Sequence, residues 1–292
     1  MEGLVLIRGG GDIATGVALR LFRAGFPVLV TELPQPLAVR RTVSFAEAVY
    51  EGLWTVERVT ARRVEKRGEI RRTLEGEEVA VLVDPELDVL RASSGPRLPV
   101  RAVVDARLTK LPPAPSSLPA QGRRGGKTDQ APVFIGLGPA FSAGVDCDAV
   151  VETMRGHTLG RVYWHGGAMA DTNQPEGDPR RVLRAPVSGA IHAQAEIGQR
   201  VEAGQILAEV RASGTVRYVT SPFAGVLRGM IRSGLEVSAG LKVGDVDPRN
   251  DPSLCYLVSD KSLAVGGGVL EALLTWSRSS DHAKGSGEPV DH

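Results

Sequence analysis

Apolar residues form short unbroken runs early in the chain and alternate with polar ones near its end, and the two patterns predict different architectures. Leu4-Val5-Leu6-Ile7 and Val28-Leu29-Val30-Thr31 have strand length, and unbroken runs of that kind suit strands buried on both faces. Between them, Ala14, Val17, Ala18, Leu21 and Phe22 share one face of a helix expected from Ile13 to Ala24 and ended by Gly25. This is a βαβ start. Further buried strands are expected at Val79–Val83, ending at Asp84-Pro85, and at Val100–Val104, ending at Asp105. Another is expected at Val133–Ile135, running into Gly136-Leu137-Gly138-Pro139. Ser44 and Glu47 have capping-box spacing for a helix reaching Tyr50, with Gly52 as its stop. Trp54–Val64 alternates weakly, and Arg62–Glu78 is strongly charged. Val150–Met154 reads as a helix start and Arg161–Trp164 as a strand. The end of the chain reads as a strand at Leu257-Val258, a Gly266-Gly267-Gly268 turn and a short helix over Val269–Trp276.

Near the C-terminus two stretches repeat each other at an offset of 36 residues. Pro186, Gly189, Gly198, Val201, Gly204 and Val210 recur as Pro222, Gly225, Gly234, Val237, Gly240 and Val246. Period-2 apolar positions punctuated by glycine predict short strands and tight turns. Such a pair predicts a small two-fold barrel-sandwich of the biotinyl or lipoyl type. Carrier domains of that shape present a modified lysine on the hairpin joining the halves. Here that segment, Glu209 to Val216, has no lysine, so neither biotin nor lipoate is expected.

The expected fold class is therefore α/β: a Rossmann-like sheet domain plus a small, all-β, lysine-free barrel-sandwich module. The expected division places the α/β domain at 1–180, with a flexible Pro-, Ser-, Gly- and Arg-rich segment near 112–128. A polar linker over Asp171–Arg180 leads to the module at 181–248; residues 249–276 would return to the first domain, and 277–292 would form a disordered tail.

Composition narrows the function classes. A formal net charge of +1 and 4% aromatic residues predict neither a nucleic-acid footprint nor a base-stacking platform. No apolar run reaches membrane-spanning length, the opening apolar run is too short for a signal peptide, and two distant cysteines make the cytoplasm the expected location. Of 35 basic residues 29 are arginine, which suits bidentate anion contacts. No H-x-x-x-H or C-x-x-C is present, so no metal site is expected. Cys147 lies between Asp146 and Asp148, which disfavour its thiolate, and Cys255 reads as a small packed hydrophobe.

The densest chemistry lies at Gly9-Gly10-Gly11-Asp12-Ile13-Ala14, which fits G-x-G-x-x-A between a strand and a helix. Gly9 would allow the turn, Gly11 a close ligand approach and Ala14 close helix–sheet packing. The free N–H groups of the helix start would face an anion. Glu32 follows 23 residues after Gly9, placed to accept a ribose hydroxyl. The competing reading is a glycine turn with no ligand, and Asp12 argues for it by adding negative charge; Arg8, Arg40 and Arg41 are the cations available to offset that charge. In a parallel sheet Asp84, Asp105, Gly136 and Gly138 would collect on the same edge. Asp105 with Lys110 is a charge pair at the site or a simple cap. Arg155 and His157 are an anion-binding or acid–base pair, or a solvated helix terminus. Asp260 and Lys261 precede the second glycine cluster and are placed to meet a phosphate.

Arg8 to Gly16, Thr31 to Pro36, Arg40 to Gly52, Val104-Asp105-Ala106, Ile135 to Pro139, Glu152 to Arg161 and Ser259 to Ala272 together resemble the YqeB-type family. That family is associated with selenium-dependent molybdenum hydroxylase systems. The resemblance implies an accessory protein in maturation of such an enzyme. Its ligand would be a nucleotide or a molybdopterin-type cofactor, and its partner the immature hydroxylase or the machinery that makes its cofactor. It departs from the family in the Gly/Arg-rich run Gln121–Lys127. From the residues themselves, no nucleophile or redox centre assigns a reaction. Two other classes remain open: a nucleotide-dependent oxidoreductase, favoured by Gly9, Gly11, Ala14 and Glu32, and a non-catalytic scaffold or docking protein whose glycines serve packing.

Overall fold

Burial of both faces of the N-terminal strands decides the architecture of the first part of the chain. The computed structural model describes residues 3–91, 98–109, 132–170, 178–212 and 214–285, with side chains as far as 278. The segment near 112–128, Lys110 and most of the 171–180 linker lie outside the described residues. In chain order the first elements are β1 (Leu4–Arg8), α1 (Asp12–Arg23), β2 (Val28–Glu32), α2 (Ala48–Glu51), β3 (Leu53–Val56), β4 (Val59–Val64), α3 (Arg67–Glu75), β5 (Val79–Val83) and α4 (Asp88–Arg91). They are followed by β6 (Val100–Asp105), β7 (Val133–Leu137), β8 (Ser142–Ala143), β9 (Ala149–Val151), β10 (Val162–Tyr163) and β11 (Gly166–Gly167). The repeat supplies β12 (Val182–Arg184), β13 (Gly189–Ala193), β14 (Arg200–Val201), β15 (Ile206–Ala212), β16 (Thr215–Thr220), β17 (Gly225–Met230), β18 (Glu236–Val237) and β19 (Lys242–Asp247). Helix α5 (Asp260–Gly285) follows.

Val5 and Ile7 face a core shared with α1 and α5, whereas Leu4 and Leu6 face a second core with Ile70, Phe134 and Phe141. Each of these four strand residues is fully buried. At roughly 1.5–3 kcal/mol per buried aliphatic side chain, this burial outweighs the surface ion pairs at about 0–1 kcal/mol each.

The expected Rossmann-like sheet with a biotinyl- or lipoyl-like barrel-sandwich is corrected. The sheet is mixed and nine-stranded, in the order β10-β9-β7-β6-β1-β2-β5-β4-β3. Antiparallel pairs, β3–β4 at one edge and β9–β10 at the other, flank its parallel strands. Much of the link from β2 to β5 is turns and the β3–β4 hairpin, so the first βαβ unit does not propagate as a doubly wound series. The repeat forms two separate four-stranded antiparallel sheets, ordered β12-β19-β17-β14 and β16-β15-β13-β18. Strands from both halves of the repeat enter each sheet, around one core built on Ile191, Leu207, Val210, Leu227, Val243 and Val246. Periodicity specifies which residues turn inward along each strand, but not which strands pair.

Three local expectations also change. Val150 and Val151 belong to strand β9, paired parallel to β7, and the chain then turns because the Glu152 carboxylate accepts the N–H groups of Thr153 and Met154. The Ser44–Glu47 cap is replaced by tight 3-10 turns before α2. There the Ser44 hydroxyl donates to Arg40 O, and buried Glu47 pairs with Arg41 and with Arg232 of the repeat module. Gly266–Gly268 are not a turn: they lie inside α5, which begins at Asp260 and reaches Gly285. Gly266 permits its crossing with α1, and Gly268 its packing against the Gly160 turn. A Cβ on Gly266 would sit 2.8 Å from Gly16 O, and one on Gly268 would collide with Gly160 O.

The repeat module docks through the segment after β2. Arg41 Nε donates to Met230 O at 2.8 Å, Arg232 pairs with Glu51 at 2.6 Å, and the Arg232 guanidinium lies 4.6 Å from the centre of the Tyr50 ring. Within the module, hydrogen bonds from Arg249 hold the Asp247 carboxyl at about 2. Its ordinary value of 3.8 is higher, so this pairing adds stability that is fully present above about pH 4 and lost as pH falls through about 2. Thermal melts should show a larger drop between pH 5 and pH 2.5 for the wild type than for Asp247→Asn. Equal drops would remove Asp247 from the acid response.

Candidate functional site

Three consecutive glycines at the end of β1 do three different jobs. Gly9 has φ +97, a conformation that suits glycine, and a Cβ there would lie 3.5 Å from the Ala106–Arg107 backbone. Gly10 is a packing glycine: a Cβ there would lie 2.9 Å from Ala46 N, and Gly10 O accepts the Ala46 N–H. Gly11 has open space where a Cβ would be, and as N-cap of α1 it provides no side-chain cap. The start of a 12-residue helix thus has no side chain at its N-cap, and Asp12 in the first turn accepts the Ile13 N–H at 3.0 Å.

This helix start faces a cleft of about 750 Å³ between the mixed sheet and the repeat module. Six cations line it: Arg40, Arg155 and Lys261 from the first part of the fold and α5, and Arg181, Arg228 and Lys242 from the module. Three carboxylates, Asp12, Glu152 and Asp245, face them. Arg40 is only 6% exposed; its Nη2 donates to Leu254 O and Leu257 O, while its Nε and Nη1 have no hydrogen-bond partner. Asp12 lies 3.6 Å from Arg40 Nη1, an ion pair without a hydrogen bond. Burial and the neighbouring positive charge of Arg40 push the Arg228 guanidinium below its ordinary value, and its Nε also lacks a partner. A buried and a half-buried guanidinium that repel each other, each with an Nε short of an acceptor, favour an anion.

A second chamber, of about 480 Å³, opens on the other side of the same helix start, lined by the glycine loop, Glu32, Pro36, Ala46, Pro85, Ala106 and Thr109. It shares Gly11, Asp12, Ile13, Leu37, Ala38 and Leu108 with the cleft. Glu32 enters as a scaffold: Oε2 accepts the Gly10 N–H at 2.6 Å and Oε1 the Leu33 N–H at 2.7 Å. Burial raises its pKa, opposed by those two backbone bonds.

The other sequence candidates have different fates. Arg8 lines the second chamber while bonding Pro85 O and facing Asp105, and Arg41 leaves the site for the module and Glu47. Ala14 is buried in the sheet–helix core and also borders the second chamber. Asp105 is fully buried, and its partner is Arg107, through Nε at 2.9 Å and Nη2 at 2.6 Å. Asp84 caps α4 by accepting the Asp88 and Val89 N–H groups. Gly136 is filled over by Phe141, and Gly138 has φ +84 at a turn against Thr153. His157 is exposed and does not line either chamber, its carbonyl accepting from Arg161 Nε. Arg155 sits at the cleft rim, paired with Asp260 at 2.6 and 3.0 Å, and this pair pulls the Asp260 carboxyl to about 2.

Arg181, Arg228, Lys242 and Glu152 are site residues that motif reasoning missed. One signal was present: at the 36-residue offset, Arg228 and Lys242 of the second half stand where the first half has His192 and Ile206. The second half supplies Arg228 and Lys242, and Arg181 enters from the segment before β12. Cys147 is no nucleophile, because burial first and the neighbouring carboxylates second push its thiol up to about 12. Native protein at pH 8 should leave Cys147 unalkylated by iodoacetamide over an hour, with labelling only after unfolding, read by peptide mass. Rapid native labelling would contradict its burial.

A mixed α/β sheet and an antiparallel β module sharing an electropositive cleft define the class of protein. No family profile matches the chain. It is 42% identical over 275 residues to "Uncharacterized protein YqeB" from Escherichia coli (strain K12), a match covering 93% of this chain and 47% of that protein. The chain belongs to the YqeB family, and it spans about half the length of that curated relative. Among solved structures, an aspartoacylase family protein from Mesorhizobium loti is 10% identical over 84% of each chain, with a TM-score of 0.25. The product-bound ectoine utilization protein EutE (DoeB) from Ruegeria pomeroyi is 12% identical over 84% of this chain and 85% of its own, also at 0.25. Likeness at that level bears on neither fold nor activity. No helix among the described residues is long and apolar enough to cross a membrane.

Proposed function

We propose that this chain is an accessory protein in the maturation of a selenium-dependent molybdenum hydroxylase, and that it binds a phosphorylated ligand, a nucleotide or a molybdopterin-type cofactor, in the cleft at the start of α1. The observation that carries the ligand reading is buried Arg40 beside half-buried Arg228, each with an Nε that has no hydrogen-bond acceptor, next to a helix start whose N-cap Gly11 has no side chain and whose Ile13 N–H is held by Asp12. A phosphate would supply acceptor oxygens to both and meet the positive end of the helix dipole. The hydroxylase part of the proposal rests on the resemblance of the sequence blocks, and the immature enzyme or its cofactor machinery is the partner it implies.

The two parts have separate tests. Native mass spectrometry of anaerobically purified protein, incubated with nucleotide and with molybdopterin, should show a one-to-one adduct that Arg40→Gln weakens; no adduct with either ligand sinks the binding proposal. Deleting the gene should lower molybdenum hydroxylase activity without lowering the amount of hydroxylase polypeptide, and unchanged activity sinks the maturation proposal. The oxidoreductase alternative needs Glu32, which lines the second chamber, to accept a ribose hydroxyl on the lone pairs left by its two backbone N–H bonds.

A further inference from the structure

One carboxylate in the cleft stands between a helix start and a buried guanidinium. Asp12 opens α1; its Oδ1 accepts the Ile13 N–H at 3.0 Å, and its Oδ2 lies 3.6 Å from Arg40 Nη1. That second contact balances charge but is no hydrogen bond, so Nη1 and Nε of Arg40 stay buried without an acceptor. Buried donors left in that state are costly. The two partners also differ in freedom. The Arg40 side chain is 6% exposed and is fixed through Nη2 by the carbonyls of Leu254 and Leu257. The Asp12 side chain is 35% exposed and has only empty space beside it at Gly11. The carboxylate is able to swing to water, and the guanidinium is not able to follow.

We infer that Asp12 is a placeholder: in the empty cleft its carboxylate occupies the position of one phosphoryl oxygen, and the ligand displaces it and takes over the Ile13 N–H and Arg40 Nη1 as donors. The inference deepens the phosphorylated-ligand reading above and rests on it. Tethering is the reason the exchange is favourable. A carboxylate attached at position 12 and bonded to the next N–H stops 3.6 Å from Nη1, whereas a free phosphoryl oxygen closes to about 2.8 Å and makes a charge-assisted hydrogen bond. The exchange also conserves charge: one negative group arrives as another leaves, so Arg40 is at no stage buried without a counter-charge. Asp12 is therefore a built-in competitor, which keeps the empty site neutralised and lowers its affinity for anions. A purely structural Asp12 would be needed to hold Arg40, but two backbone carbonyls already do that.

Calorimetry with pyrophosphate on the full chain and three variants tests this. Asp12→Asn removes the charge and keeps an oxygen for the Ile13 N–H, and Asp12→Ala removes both, so one variant stands if the other fails to fold. Each should bind pyrophosphate about tenfold or more tighter than the wild type, and binding by these variants where the wild type shows none is the same result in stronger form. Glu86→Gln removes an equal charge from an exposed side chain lining the second chamber, and should change the affinity by less than about threefold. In any of these proteins that binds, the Ile13 amide resonance should move on addition of pyrophosphate. Unchanged or weaker binding by the Asp12 variants overturns the inference, and wild-type binding then leaves the phosphorylated-ligand reading standing. An equal gain from Glu86→Gln also overturns it, by reducing Asp12 to one charge among several, as does a bound protein whose Ile13 amide stays in place. Binding by none of the four proteins overturns both.

Discussion

Arg228→Gln is expected to weaken pyrophosphate binding by about 10- to 100-fold while leaving the ligand-free protein at least as stable as the wild type. The two halves of this result have one cause. Arg228 is desolvated, faces the positive charges of Arg40 and Arg181, and has an Nε with no hydrogen-bond partner. Its nearest ion-pair partner, Asp247 at 3.7 Å, is already held by Arg249. In the empty site the guanidinium thus gains little and is repelled, so removing its charge relieves strain. With an anion bound it makes a charge-assisted hydrogen bond, worth roughly 1.5–3 kcal/mol. Tenfold in affinity corresponds to about 1.4 kcal/mol, so the expected loss lies at or above that. Calorimetry and a thermal melt on the same preparation check both halves. Unchanged affinity would place the anion elsewhere, and a large fall in melting temperature would make Arg228 a structural residue. Because the cleft is electropositive, the wild-type affinity should also fall as salt rises.

The second large effect concerns the fold. Gly16→Val is expected to destabilise the protein by about 3 kcal/mol, at the upper end of ordinary overpacking costs. Gly16 is buried where α1 crosses α5, and a Cβ there would lie 2.5 Å from Ser262 Cβ and 2.7 Å from the Ser262 carbonyl. The near neighbour is backbone as well as side chain, so no rotamer change relieves the contact. The helices would have to separate, loosening Val17 and Leu21 on one side and Val265 and Val269 on the other, all fully buried. Denaturant titration should show a lower midpoint with an unchanged slope. Because α5 also places Lys261 at the cleft, anion affinity should fall with it. A variant as stable as the wild type would mean that the crossing has slack its geometry does not suggest.

Much of the strand framework was legible because it depends on local physics. Leu4–Ile7, Val28–Thr31 and Val79–Val83 read as buried strands from runs of apolar and β-branched residues, and α1 was legible from its 3.6-residue apolar face. The glycine loop was legible as a turn, and Arg8, Arg40 and Arg41 as cations available to offset Asp12; the tertiary structure pairs Arg40 with it. Val150–Val151 was misread because a short apolar run has no helical or strand period of its own; pairing with β7 decides it. Glu47 was misread as a cap because its partner, Arg232, lies 185 residues away in sequence. Gly266–Gly268 looked like a break because glycine usually weakens a helix, and here backbone contact with Gly16 and Gly160 compensates.

By itself, the sequence determined the buried strands, the first helix, the glycine turn between them and the 36-residue repeat, because propensity, periodicity and turn chemistry act over a few residues. Only the tertiary structure decided that the sheet is mixed, that strands of the two repeat halves share both antiparallel sheets, and that Glu32 braces the loop. It alone brought Arg181, Arg228 and Lys242 opposite Arg40, since long-range strand pairing and the repulsion among distant charges leave no local pattern to read.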